Sequence, residues 1–150
     1  MTRLRETIPI ERPAEKAQEA LERFFAPLNG RAGPLRLRVP FQGAPSDYGI
    51  YFYRDVLVEA NRARDEGNLN DVLSIKWAPE GTGIFPRFSG TLAVCGDDNP
   101  VRSFIELDGS YAPPLGAAGQ VFDAAIGHHI AQATARELLA DIKTAIERPA

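Results

Sequence analysis

The spacing of apolar residues changes period several times along the chain, and each change marks a predicted element. Leu4, Ile8 and Ile10 recur at even positions between polar neighbours, the two-residue period of a strand. Pro9 lies inside that run and cannot donate to a ladder, which predicts an edge or bulged strand. From Pro13 the spacing turns helical: Ala17, Ala20, Leu21, Phe24 and Phe25 share one face, Pro13 suits a first turn, and the helix stops before Pro27. Asn29-Gly30 and Gly33-Pro34 predict a turn region from Leu28 to Pro34. Leu35, Leu37, Val39 and Phe41 then alternate with Arg36 and Arg38, the pattern of a strand with one buried and one wet side.

From Ile50 to about Arg62 a β-rich run follows, and Asp65-Glu66-Gly67-Asn68 turns it back into Val72, Leu73, Ile75 and Trp77, a hairpin. Phe88, Leu92 and Val94 continue the meander, Gly96-Asp97-Asp98-Asn99-Pro100 turns it again, and Ser103 to Tyr111 forms the last strand. After Pro113-Pro114-Leu115-Gly116, the segment from about Ala117 to Glu147 lacks proline and is rich in good helix formers, so it predicts one helix of roughly 45 Å. Its apolar stripe runs through Phe122, Ile126, His129, Ile130 and Ala133 and drifts to Leu138, Leu139, Ile142 and Ile146. Strands cluster and do not alternate with helices, which gives an α+β class. The expectation is a single domain over 1–150: a curved antiparallel sheet of about six strands, a shorter helix after strand one, and a long C-terminal helix lying across the sheet.

Composition narrows the function classes. Hydrophobic residues at 44% and charged residues at 25% match an ordinary folded, water-soluble protein. A net charge of −3 argues against nucleic acid as a partner; Arg36, Arg38, Arg62 and Arg64 read as solvated faces. Cys95 is alone, so no intrachain disulfide forms and nothing calls for an oxidising compartment. No run approaches the ~18 apolar residues of a membrane span, and the N-terminus carries no apolar signal stretch. A cytoplasmic protein without membrane insertion is expected.

Candidate chemistry is thin. His128 and His129 are adjacent on a helix and diverge by about 100°, whereas helical metal pairs use i,i+3 or i,i+4 spacing. Ala124, Ala125, Gln132 and Ala133 complete no pair, so no metal is expected, His129 reads as buried or half-buried, and His128 reads as a surface residue. Gly81-Thr82-Gly83 is no dinucleotide fingerprint, because Pro86 takes the third glycine position and strands flank it, so no cofactor is expected. Ser89-Gly90 and Gly109-Ser110 form no nucleophile elbow. Cys95 has no adjacent base. Glu106 and Asp108 alternate with Ile105 and Leu107, which reads as a wet sheet face in preference to a cavity rim. No catalytic residue is assigned.

What stands out is the aromatic content of the strand region: Tyr48, Tyr51, Phe52, Tyr53, Trp77, Phe85, Phe88, Phe104 and Tyr111. Such residues fill cores and also line pockets. Small residues on the long helix, Ala125, Gly127 and Ala133, fit either close helix–sheet approach or open space.

The order of strand, helix, antiparallel meander and long helix resembles the helix-grip (START-like, Bet v 1-like, SRPBCC) superfamily. Trp77-Ala78-Pro79-Glu80-Gly81-Thr82-Gly83-Ile84-Phe85-Pro86-Arg87-Phe88-Ser89-Gly90 and Leu107-Asp108-Gly109-Ser110-Tyr111-Ala112-Pro113-Pro114-Leu115-Gly116 look like segments of bacterial members of that group. The chain departs from the usual pattern in having six expected strands where seven are common, and a Pro/Gly loop at Pro27 to Pro34 in place of a second short helix.

The resemblance implies a cavity between sheet and helix, hence a binding protein for a small hydrophobic or amphipathic molecule such as a lipid. Expected lining residues are Leu37, Val39, Phe52, Ile75, Trp77, Leu92 and Leu107 from the sheet, with Phe122, Ile126, His129 and Ile130 from the helix. Arg54, Tyr111 or His129 would serve as polar handles. The alternative is a polyketide cyclase or dehydratase-like enzyme using a cavity His, Arg or carboxylate. A third reading, an interaction domain or a homodimer formed along an edge strand, would show as a contiguous exposed apolar patch.

Overall fold

Alternation along the first strand is visible in burial. Leu4 and Ile10 are buried while Arg3, Arg5, Thr7 and Pro9 are exposed. The computed structural model describes residues 2–28, 32–40, 51–64, 71–79, 87–112 and 124–148. Its elements are β1 (Thr2–Ile10), α1 (Ala14–Phe25), β2 (Ala32–Pro40), β3 (Tyr51–Arg64), β4 (Asp71–Pro79), β5 (Arg87–Gly96), β6 (Ser103–Ala112) and α2 (Ala124–Glu147). The strands form one antiparallel sheet in the order β1-β6-β5-β4-β3-β2.

Two boundaries differ from the sequence expectation. The strand expected from Leu35 begins at Ala32, so Gly33 and Pro34 lie inside β2 and not in a turn. β2 is an edge of the sheet, where a missing N–H is tolerated. Between α1 and β2, where a loop alone is expected, Ala26–Leu28 forms a single 3-10 turn. Pro9 also lies on an edge strand, and the β1–β6 register runs from Thr2 opposite Tyr111 to Ile10 opposite Ser103 without a bulge.

α2 is described over 24 residues, about 36 Å; the expected turns over 117–123 lie outside the described residues. Its buried face is Ala131, Thr134, Ala135, Leu138, Leu139, Ile142 and Ile146. Ala133, expected on the buried stripe, is only half-buried. The stripe does not drift toward it but runs straight back from Ile146 through Ile142, Leu138 and Leu139, Ala135 and Ala131 in steps of three and four. No helix among the described residues is long and apolar enough to cross a membrane.

The packing of α2 gives the sheet its shape. The helix lies close along β1 and β2, the two opposite edges, and also meets β6, while its backbone approaches the central strands only sparsely. A flat six-stranded sheet would hold its edges about 24 Å apart, and α2, about 36 Å long, reaches from one edge strand to the other across the curved sheet. α1 packs against β5, β6 and α2, and Ala17, Leu21 and Phe25 join Ile10, Ile105, Leu138 and Ile142 in one core cluster.

Polar contacts fasten the C-terminal half of α2. Lys143 Nζ donates to the Pro9 carbonyl at 2.6 Å, supplying a donor to an edge strand, and to Glu147 Oε1 at 2.7 Å. Glu11 N–H donates to Glu147 Oε1 at 2.7 Å, and Arg12 donates to the Glu147 carbonyl at 2.9 Å, satisfying an orphan group at the helix end. Arg136 pairs with Glu6 at 3.2 Å. Burial by itself would raise the Glu147 pKa, but Lys143 and the Glu11 N–H outweigh it and hold the carboxyl below its ordinary value. On the outer face, the bidentate hydrogen bond from Arg3 (3.2 and 3.0 Å), joined by Arg5 at 3.1 Å, likewise holds Asp108 low against partial burial.

A carboxyl whose folded pKa lies below its unfolded one adds stability that is complete above the unfolded value and disappears as pH falls through the folded value. Thermal melting is thus expected to stay level between neutrality and about pH 5 and to drop below about pH 4. The double variant Asp108→Asn with Glu147→Gln should melt lower at neutral pH and show a shallower acid slope; an unchanged slope would remove these two groups from the account.

Candidate functional site

Cross-strand register arranges one face of β4, β5, β6 and β1 in rows. The first row is Trp77, Phe88 and Tyr111, each opposite the next, with relative exposures of 2%, 3% and 4%. Trp77 and Phe88 stack with ring centroids 4.1 Å apart and planes inclined by 16°. The second row is Ile75, Gly90, Gly109 and Leu4. The third is Leu73, Leu92 and Leu107, ending on Glu6 at the β1 edge.

The glycine pair makes the first row possible. A Cβ on Gly90 would strike the Asp108 carbonyl oxygen, 2.7 Å from Gly109 Cα and 2.8 Å from Phe88 Cζ. One on Gly109 would strike the Ser89 carbonyl oxygen, 2.6 Å from Gly90 Cα and 2.7 Å from Phe88 Cζ. The Phe88 ring folds back over this bare backbone, an aromatic covering a cross-strand gap that no side chain fills.

A histidine supplies the polar end of the row. The Tyr111 hydroxyl lies 2.8 Å from His128 Nδ1, with ring centroids 5.8 Å apart. His128 is three residues before the buried Ala131, one more step along the inner stripe of α2, and its ring is exposed. The sequence pattern places His129 inward and His128 on the surface; the structure leaves His128 exposed yet joins it to a buried tyrosine.

Five expected lining residues, Ile75, Trp77, Leu92, Leu107 and Tyr111, are buried and fall in the three rows. In the β2–β3 ladder Leu37 is opposite Arg54 and Val39 opposite Phe52, two and three rows beyond the one containing Val58 and Trp77. Ile126, His129 and Ile130 belong to α2, with side chains outside the described residues; Phe122 is outside them altogether. The pattern overlooked His128 and the Gly90–Gly109 pair. A step of three back from Ala131 points to the first, and the alternation Phe88-x-Gly90-x-Leu92 exposes half of the second.

Glu106 and Asp108 lie on the opposite, wetter face of β6 with Arg3 and Arg5. Burial, then the charge of Glu106, pushes the Cys95 thiol up, which makes it a poor nucleophile. Among the described residues no group of three His, Cys, Asp or Glu side chains could hold a metal ion.

No family model and no curated protein matches the chain in sequence. Solved structures do. A Streptomyces aromatase/cyclase superposes with a TM-score of 0.57 at 14% identity over 97% of this chain and 91% of that one. A Thermus thermophilus protein gives 0.55 at 16% identity over 97% of both chains. A conserved Geobacillus kaustophilus protein gives 0.56 at 12% over 97% of this chain and 95% of that one. At such identities the likeness speaks for architecture. Taken with a strand, a helix, a meander and a closing helix that bridges the sheet's rims, it shows that the chain has the helix-grip fold.

Proposed function

We propose that the chain binds a small hydrophobic or amphipathic molecule, such as a lipid, between α2 and the inner face of the central strands. The observation that carries this reading is the aromatic row itself: Trp77, Phe88 and Tyr111 lie side by side on the sheet and end on His128 of α2. Flat aromatic surfaces supply apolar contact, and one polar pair orients the guest. Leu37, Val39, Phe52, Arg54, Phe122, Ile126, His129 and Ile130 complete the lining in this proposal, with the cytoplasm as the setting. Val101 is the exposed large apolar side chain among the described residues, at 60%, which by itself makes no patch for a protein partner or a homodimer.

Trp77 is the only tryptophan and reports directly on the row. A panel of fatty acids, sterols and polycyclic aromatics is expected to contain members that change its emission and raise the melting temperature, by about 2.7 kcal/mol of stabilisation at a hundredfold excess over Kd. If no member moves either signal, the binding proposal is wrong.

The Tyr111–His128 pair favours a second reading, a cyclase- or dehydratase-type enzyme in which that pair moves a proton on the guest. A reactive poly-β-ketone should then cyclise to a different product distribution with the protein than without it, and His128→Ala should abolish the difference. Identical distributions would leave binding alone.

A further inference from the structure

We infer that the guest carries an oxygen acceptor at its polar end, a carboxylate above all, received by His128 Nε2–H. This rests on the binding reading. It follows from which atom of the pair must hold the proton. Tyr111 is buried, and its hydroxyl has one partner among the described residues, His128 Nδ1 at 2.8 Å. A buried O–H left without an acceptor is costly, so the arrangement that satisfies it has the tyrosine donating to Nδ1. A neutral imidazole whose Nδ1 accepts carries its proton on Nε2. The outward Nε2 edge of the ring is then a donor. The remaining tautomer, with Nε2 as an acceptor, strands the buried hydroxyl.

Position adds to chemistry. His128 is exposed while the row it closes is buried, so a molecule whose apolar body lies along Trp77 and Phe88 brings its wet end to the imidazole edge. Hydrogen bonds to an ionised acceptor are the strong ones. The net charge of −3 would by itself draw cations, so a preference for an anion has to come from a local donor.

The test uses three amphiphiles with the same ten-carbon tail, decanoate, decanol and decyltrimethylammonium, titrated below micelle formation and read by Trp77 fluorescence and calorimetry. Decanoate is expected to bind about tenfold more tightly than the cation, with decanol between them. His128→Ala should collapse the preference, bringing decanoate and decanol down toward the affinity of the cation, and because it takes the partner from the buried Tyr111 hydroxyl it should also lower the melting temperature by a few degrees. Tyr111→Phe keeps the ring, releases the tautomer and should narrow the preference too, which a purely structural tyrosine would not do. Equal binding of all three heads, tightest binding of the cation, or an acid preference that survives His128→Ala would overturn the inference and leave the binding site standing. If none of the three binds, the site proposal falls and takes this one with it.

Discussion

Gly109→Ala is expected to cost about 3 kcal/mol or more, a loss near the upper end for a single methyl group. The added carbon has nowhere to go: the Ser89 carbonyl, Gly90 Cα at 2.6 Å and Phe88 Cζ at 2.7 Å all stand in its way. Two of the three obstacles are backbone atoms of the neighbouring strand, so repacking a side chain does not relieve them. Phe88→Leu should therefore fail to rescue Gly109→Ala, and Gly90→Ala should be about as damaging. Gly96, at the end of β5, has nothing within 4 Å of its absent Cβ and is the internal control. Alanine there should be neutral or stabilising by a few tenths of a kcal/mol. Denaturant melts of the four variants decide the matter: equal midpoints for Gly96→Ala and Gly109→Ala would dismiss the close strand approach.

Leu139→Ala is expected to cost about 3 kcal/mol, within the range for emptying a fully packed leucine site, and Ile142→Ala about the same. Leu139 is 1% exposed and Ile142 fully buried, and both belong to the stripe that joins α2 to α1 and the sheet. The opposite end of the helix should behave differently. His128→Ala empties no packed site but leaves the buried Tyr111 hydroxyl without its partner, so its cost should be about 1 kcal/mol, well short of the loss at Leu139. Stability would then be concentrated in the C-terminal half of α2, leaving the end near Trp77 and Tyr111 free to specialise in recognition. Comparable losses at Leu139 and His128 would contradict that division.

Much of the architecture can be read from period alone. Leu4 and Ile10, or Ile105 and Leu107, announce strands because one side is buried and the other wet, and Ala17, Leu21 and Phe25 announce α1 in the same way. Boundaries were harder where proline misled. Gly33-Pro34 has the chemistry of a turn, but an edge strand does not need every donor, so β2 absorbs it. The phase of α2 is hard to read near Ala133 because alanine is common on both faces there and carries no periodic signal; burial falls on Ala131 and Ala135.

The site was legible in composition but not in geometry. Trp77 and Tyr111 could be named as buried sheet residues from their type and alternation. That they fall in one row with Phe88 depends on the β4–β5–β6 register, which is set by residues far apart in sequence. The same holds for the glycines: each looks like an ordinary strand weakness until Gly90 and Gly109 are placed opposite each other. The choice of His128 over its neighbour as partner to Tyr111 turns on one step of helical rotation.

The pairing of the first strand with the last has a consequence for biosynthesis. Thr2 finds its partner only at Tyr111, and Lys143 reaches the Pro9 carbonyl later still. At about 5–20 residues per second, the N-terminal segment leaves the ribosome roughly 5–20 s before its neighbour in the sheet exists. During that interval its ladder groups are unmatched, and its alternating arginines and Pro9 discourage other chains from docking there. Closure of the sheet then comes last and depends on contacts distant in sequence, the circumstance that slows folding.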